Sequence, residues 1–79
     1  MKLVMRCPMC GGEHYIELTA EQEDKYRRYR GGEGYIQEMF AEFGAVDREF
    51  IKTGYCPQCQ ELLFGDGTSE LIKKVEKGE

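Results

Sequence analysis

Cys7-Pro8-Met9-Cys10, followed by Gly11-Gly12, returns later in the chain as Cys56-Pro57-Gln58-Cys59. Two thiolates with two residues between them face one metal ion when the chain makes a tight knuckle. Pro fixes φ after the first ligand, and Gly after the second accepts a left-handed turn. Two such knuckles supply four thiolates, which suits tetrahedral Zn²⁺ with no open coordination position. The expected ligands are therefore Cys7, Cys10, Cys56 and Cys59, holding one structural zinc ion. The second knuckle has Gln60 where the first has Gly11, which predicts a less regular turn or a direct entry into a helix.

Size explains why a metal is needed. A chain of 79 residues buries only roughly 60–65% of its unfolded surface, so its core alone is marginal. The 41% hydrophobic content fills a modest core and leaves no room for a large cleft. No apolar run approaches the ~20 residues that span a bilayer, and the start of the chain is too short for a signal-peptide core. These features predict a cytoplasmic protein, in which cysteines serve as metal ligands more readily than as disulfides.

Two other chemistries use the same thiols. A Cys-x-x-Cys redox pair places one reactive thiol at a helix N-terminus within a βαβ frame, which a short chain with two equivalent pairs does not offer. Four thiolates also hold iron, since the sequence encodes ligands and not the metal, so electron transfer stays open. His14, the one histidine, could replace or assist a thiolate; as a half-exposed strand residue it would do neither.

The flanks of the first knuckle, Lys2 to Arg6 and His14 to Leu18, read as a hairpin whose turn is the metal loop. Thr19-Ala20-Glu21-Gln22 is a capping box, and Glu21, Glu23 and Asp24 favour the start of a helix over Ala20 to Arg30. Gly31-Gly32-Glu33-Gly34 ends it with a left-handed cap. Tyr35, Ile36, Met39, Phe40 and Phe43 fall at helical spacing and predict the main core helix. A third helix is expected over Ala45 to Thr53, with Val46, Phe50 and Ile51 inward and Gly54 just past its end.

Gln60 to Phe64 continues the second knuckle as a helix or a strand, closed by Gly65-Asp66-Gly67. Leu71, Ile72 and Val75 then recur at helical spacing, and residues 76–79 are expected to fray. The predicted fold is one small α+β, zinc-ribbon-like domain over residues 1–79, with two knuckles on one metal and a helical insertion over about 19–53.

The run Cys7-Pro8-Met9-Cys10-Gly11, with Leu18-Thr19-Ala20-Glu21-Gln22, Tyr35-Ile36-Gln37-Glu38-Met39-Phe40, Asp47-Arg48-Glu49-Phe50 and Gly54-Tyr55-Cys56-Pro57-Gln58-Cys59, resembles small zinc-ribbon-type (four-cysteine zinc-finger) proteins of bacteria and their phages. The resemblance implies a metal-binding fold with the four cysteines as ligands. It implies no activity, substrate or partner. The helical middle departs from a plain all-β ribbon.

Net charge −4 argues against a general phosphate-binding surface. One segment differs. Lys25, Arg27, Arg28 and Arg30 are interleaved with Tyr26 and Tyr29, a combination that holds phosphates and stacks bases. The same pattern suits an amphipathic helix with tyrosines inward and cations in water. Asp47 and Glu49 read as surface acids that complement a helix dipole, and no catalytic set emerges. The sequence thus predicts a non-enzymatic interaction module binding a protein partner through its helical insertion. Its alternative is nucleic-acid binding through the Lys25 to Arg30 helix, and neither reading involves a membrane.

Overall fold

The computed structural model describes residues 1–76, so the expected fraying at 77–79 lies outside the described residues. Strand β1 (Lys2–Arg6) pairs antiparallel with β2 (Glu13–Glu17), in register from Lys2 opposite Glu17 to Arg6 opposite Glu13. Strand alternation sends Leu3, Met5 and Ile16 to the side of the core and Lys2, Val4 and Tyr15 to the other. The first knuckle is the turn of this hairpin.

Helix α1 (Ala20–Arg30) starts where its capping box places it. Gln22 N–H donates to Thr19 Oγ1 at 3.2 Å, and Thr19 N–H donates to Gln22 Oε1 at 2.9 Å. At its end Glu33 N–H reaches Arg28 O at 2.9 Å and Gly32 N–H reaches Tyr29 O at 3.0 Å. This is a Schellman closure, and the left-handed residue is Gly32, φ +85°, where a side chain would be strained.

The expected main core helix is a single turn, α2 (Ile36–Met39). Phe40 leaves helical geometry at φ −122°, ψ 44°, because the chain must reverse within four residues to start α3 (Ala45–Thr53) at Gly44. The apolar spacing is met in another way. Phe40 and Phe43 are buried and stack with ring centres 5.6 Å apart, 6° from parallel. Helix α3 then buries Val46, Phe50 and Ile51, and Gly54 closes it at φ +88°.

Helix α4 (Pro57–Phe64) resolves the segment after the second knuckle as helix, with Cys56 at its N-cap and Pro57 at its first position. Gly65, φ +83°, ends it. The expected periodicity of Leu71, Ile72 and Val75 gives no helix. Lys73–Lys74 form β3 beside β2, with His14 opposite Lys74 and Tyr15 opposite Lys73. The exposed edge of β2 supplies hydrogen bonds that a helix would forgo: Val75 N–H donates to Glu13 O at 3.0 Å. Ile72 is buried, whereas Leu71 is exposed.

Asp47, a surface acid by its place in the sequence, is instead 7% exposed. Its carboxylate accepts from the Ser69 hydroxyl, whose oxygen in turn accepts from Leu71 and Ile72 N–H at 3.2 and 3.1 Å. The acid therefore anchors the returning C-terminal strand rather than facing water. The result is a three-stranded antiparallel sheet, order β1-β2-β3, with four helices. Leu3, Ile16, Leu18, Phe40, Phe43, Val46, Phe50, Ile51 and Ile72 form the core between them.

Phe50 is fully buried at the centre of that core. Phe50→Ala is expected to destabilise the protein by about 3–5 kcal/mol, read as a lower denaturant midpoint at unchanged slope.

Candidate metal centre

The first knuckle is closed by its own backbone. Cys7 N–H donates to Gly12 O at 2.8 Å and Gly11 N–H to Cys7 O at 2.9 Å, with Gly11 at φ +74°. Gly12 N–H points at Cys10 Sγ at 3.4 Å, so a backbone donor supports the thiolate form.

The second knuckle reaches the first because Gly54 lets it. A Cβ at Gly54 would stand 3.3 Å from Arg6 O and 3.5 Å from Met5 Cε. The end of α3 thus presses against the end of β1, and Cys56 follows two residues later. Gln60 N–H donates to Cys56 O at 2.9 Å, which starts α4. The Gln60 side chain, 2% exposed, donates to Val46 O at 2.9 Å and to Tyr55 O at 3.0 Å. It ties α4 to α3 and to the approach of the knuckle. Gly67 covers the other side: a Cβ there would fall 2.1 Å from Pro57 O.

These constraints bring Cys7, Cys10, Cys56 and Cys59 together, with all four Sγ atoms within 4.8 Å of one another. Cys10 Sγ and Cys56 Sγ are 3.7 Å apart. Zn–S bonds of about 2.3 Å at tetrahedral angles require sulfurs about 3.8 Å apart, so the four thiols fit one ion. None is in a disulfide. Cys7, Cys56 and Cys59 are buried at 1%, 0% and 5% exposure, and Cys10 faces solvent.

The thiols differ in acidity. Burial pushes Cys7 up, but backbone hydrogen bonds from Cys56, Cys10 and Met9 outweigh it and bring the thiol down to about 6. Cys59 is pushed up to about 12, first by its hydrogen bond with Cys56 and then by burial. Burial also raises Cys56. A redox pair needs an accessible, acidic thiol at a helix start. Cys56 stands at a helix start and is neither accessible nor acidic, and the sheet around it is antiparallel.

The other expected contact residues lie elsewhere. On α1, Arg27 pairs with Glu23 at 2.7 Å, Arg28 with Asp24 at 3.2 Å and Lys25 with Glu42 at 3.9 Å. Arg30 donates to Tyr26 OH at 3.2 Å and lies 5.9 Å from its ring centre. Tyr26 packs against the core and Tyr29 is half-buried. His14 is a half-buried strand residue whose Nδ1 is buried without a hydrogen-bond partner. Sequence reasoning missed Gln60 and Gly67 as positioning residues; a polar residue directly after a knuckle and a second glycine after a helix stop were the available signals.

No protein-family model, curated protein or solved structure matches the chain. No helix among the described residues is long and apolar enough to cross a membrane.

Two outcomes test this geometry. Gly54→Ala introduces a side chain at φ +88° and against Arg6 O. It is expected to cost about 1–2 kcal/mol from the left-handed backbone alone, and to weaken cobalt binding in a spectroscopic titration because the knuckles separate. Metal uptake should also release protons, since thiols bind as thiolates. Cys59, held up to about 12, keeps its proton throughout the neutral range, so affinity rises with pH. Below about 6, where Cys7 also protonates, the dependence of log affinity on pH becomes steeper, as measured by competition with a chelator of known affinity.

Proposed function

We propose that the chain is a non-enzymatic, zinc-ribbon-like interaction module in which one structural Zn²⁺ staples the scaffold and α4 docks a protein partner. The closed thiolate set supports the first half, because four protein ligands leave no position for substrate. One observation carries the second. Leu62, Leu63 and Phe64 are 82%, 45% and 60% exposed on consecutive positions of α4. Single exposed apolar residues are ordinary, whereas three in succession, fanned over about 200° at the end of a short helix, support a contact surface there.

The surroundings support one kind of partner. Phe64 borders a groove of about 210 Å³ lined by Ala45, Val46, Glu49, Gln60 and Asp66. The helical insertion thus supplies one wall through α3. With Glu61 exposed beside Leu62, the rim is acidic. The matching surface is an apolar segment flanked by Lys or Arg. Rim charges of this kind act mainly on encounter rate and choice of partner.

Leu62→Glu with Phe64→Glu is expected to abolish capture of a partner from cell extract and to weaken the purified complex by at least tenfold in calorimetry. Lys25→Ala/Arg27→Ala/Arg28→Ala should leave it unchanged. The reverse pattern would move the contact to α1. That reading, nucleic-acid binding through Lys25 to Arg30, requires displacing the ion pairs of α1. It predicts binding of single- or double-stranded DNA or RNA at low salt that falls steeply as salt rises, and no binding at low salt removes it. Stripping the metal with a chelator should collapse the amide spectrum, because a structural site contributes its binding energy to folding; a chelated protein that keeps its dispersed spectrum overturns the structural role of the ion.

A further inference from the structure

His14 is the one imidazole of the chain, and the four-cysteine centre leaves it unused. Its position follows from the hairpin. On β2 it lies two residues before Ile16, on the same inward side, and opposite Met5 of β1. It is the first inward position of β2 after the metal loop.

Nδ1 of His14 is the only buried side-chain nitrogen or oxygen without a partner among the described residues. Buried polar atoms are satisfied in the great majority of cases, so an unmatched one requires an explanation. The neighbourhood offers one. A Cβ at Gly12 would stand 3.4 Å from Cys10 Sγ, 3.4 Å from His14 Cε1 and 3.9 Å from His14 Nδ1. The Nδ1–Cε1 edge of the imidazole and the Cys10 sulfur therefore flank the same small space, which Gly12 leaves open. Cys10 is also the one exposed ligand of the four. A competing thiol, a proton or a chelator reaches it before the others.

We propose that His14 is a reserve ligand of the centre: when Cys10 leaves the metal, Nδ1 takes its place. The inference rests on the metal-binding reading above. One metal–sulfur bond breaks and one metal–nitrogen bond forms. The neutral imidazole donates its Nδ1 lone pair while Nε2 keeps its proton, and the released Cys10 thiolate takes a proton from solvent. No electron is transferred. Three thiolates and one imidazole form an established tetrahedral donor set for zinc, so the ion stays four-coordinate while the exposed sulfur is exchanged. The Gly11-Gly12 turn supplies the backbone freedom that the exchange needs.

Cobalt makes the exchange visible. The wild-type protein loaded with Co²⁺ should show thiolate charge-transfer absorption and tetrahedral d–d bands; their absence would overturn the metal-binding reading itself. Cys10→Ala should keep the tetrahedral bands, lose about a quarter of the charge-transfer intensity and shift the ¹⁵N resonance of His14 Nδ1 on zinc loading. Cys10→Ala/His14→Ala should bind about tenfold to a hundredfold more weakly than Cys10→Ala. Equal affinity and equal spectra for the single and double variants overturn the proposal, because water would then fill the fourth position. If Cys10→Ala does not fold, His14→Ala in the intact cysteine background decides: it should surrender zinc to excess chelator several-fold faster than wild type, and an unchanged rate overturns the reserve role.

Discussion

Four sulfurs within 4.8 Å of one another join the two ends of this fold. Two come from the turn of a hairpin and two from the joint between α3 and α4, with 45 residues between Cys10 and Cys56. A covalent cross-link over loops of this length removes unfolded-state freedom worth roughly 3–5 kcal/mol, and a metal bound by both knuckles constrains the chain in a comparable way. That is a large share of the total stability available to a domain of this size. The core of nine buried apolar residues is therefore one of two supports. The sulfur cluster, with Tyr55 packed against it, would be the other once it holds a metal ion.

The two supports are joined by backbone contacts and by one buried amide. Gly54 allows α3 to end against β1, and Gly67 allows the chain after α4 to lie on Pro57. Gln60 donates to two backbone carbonyls, at Val46 and Tyr55, and so ties the start of α4 to α3 and to the approach of the second knuckle. Asp47 does similar work at the other end of the chain by holding Ser69, which sets Ile72 into the core and β3 onto β2. Packing of the core and placement of the second knuckle are thus one problem. A change at Gln60 would disturb the ligands without touching a cysteine.

What could be read from the sequence was what is decided locally. The capping box at Thr19 and the glycines at 32, 54 and 65 fix helix ends by backbone geometry within a few residues, and α1 and α3 have the boundaries those signals imply. The Cys-Pro-x-Cys repeats name the clustered thiols for the same reason. The differences arise where a distant partner decides. Phe40 and Phe43 keep their place in the core but not in a helix, because the reversal into α3 overrides a periodicity that a stacked pair also satisfies. Residues 71–75 follow the open edge of β2 rather than their helical spacing. Asp47 carries no local mark of burial, since Ser69 lies 22 residues away; Gln60 is marked only by its place after a knuckle, and its bond to Val46 spans 14 residues.

The same distinction bears on the proposed contact surface. Net charge −4 averages over an α1 whose cations are mostly committed to acids of the protein itself. Exposed pairs of this kind contribute about 0–1 kcal/mol each, so a phosphate could displace them at modest cost and they do not make α1 inert. They do remove the field that would steer a polyanion there, because each paired cation carries its neutralising acid with it. The exposed apolar residues of α4 are compensated only in part, by the edge-on contact of Phe64 with Tyr55, ring centres 6.4 Å apart. Water gains nothing from contact with Leu62 and Phe64, and the helix that presents them is held at its start by the sulfur cluster and at Gln60 by two hydrogen bonds. Apolar groups mounted on a helix that is already ordered cost little further entropy on association, which supports α4 as the proposed contact surface.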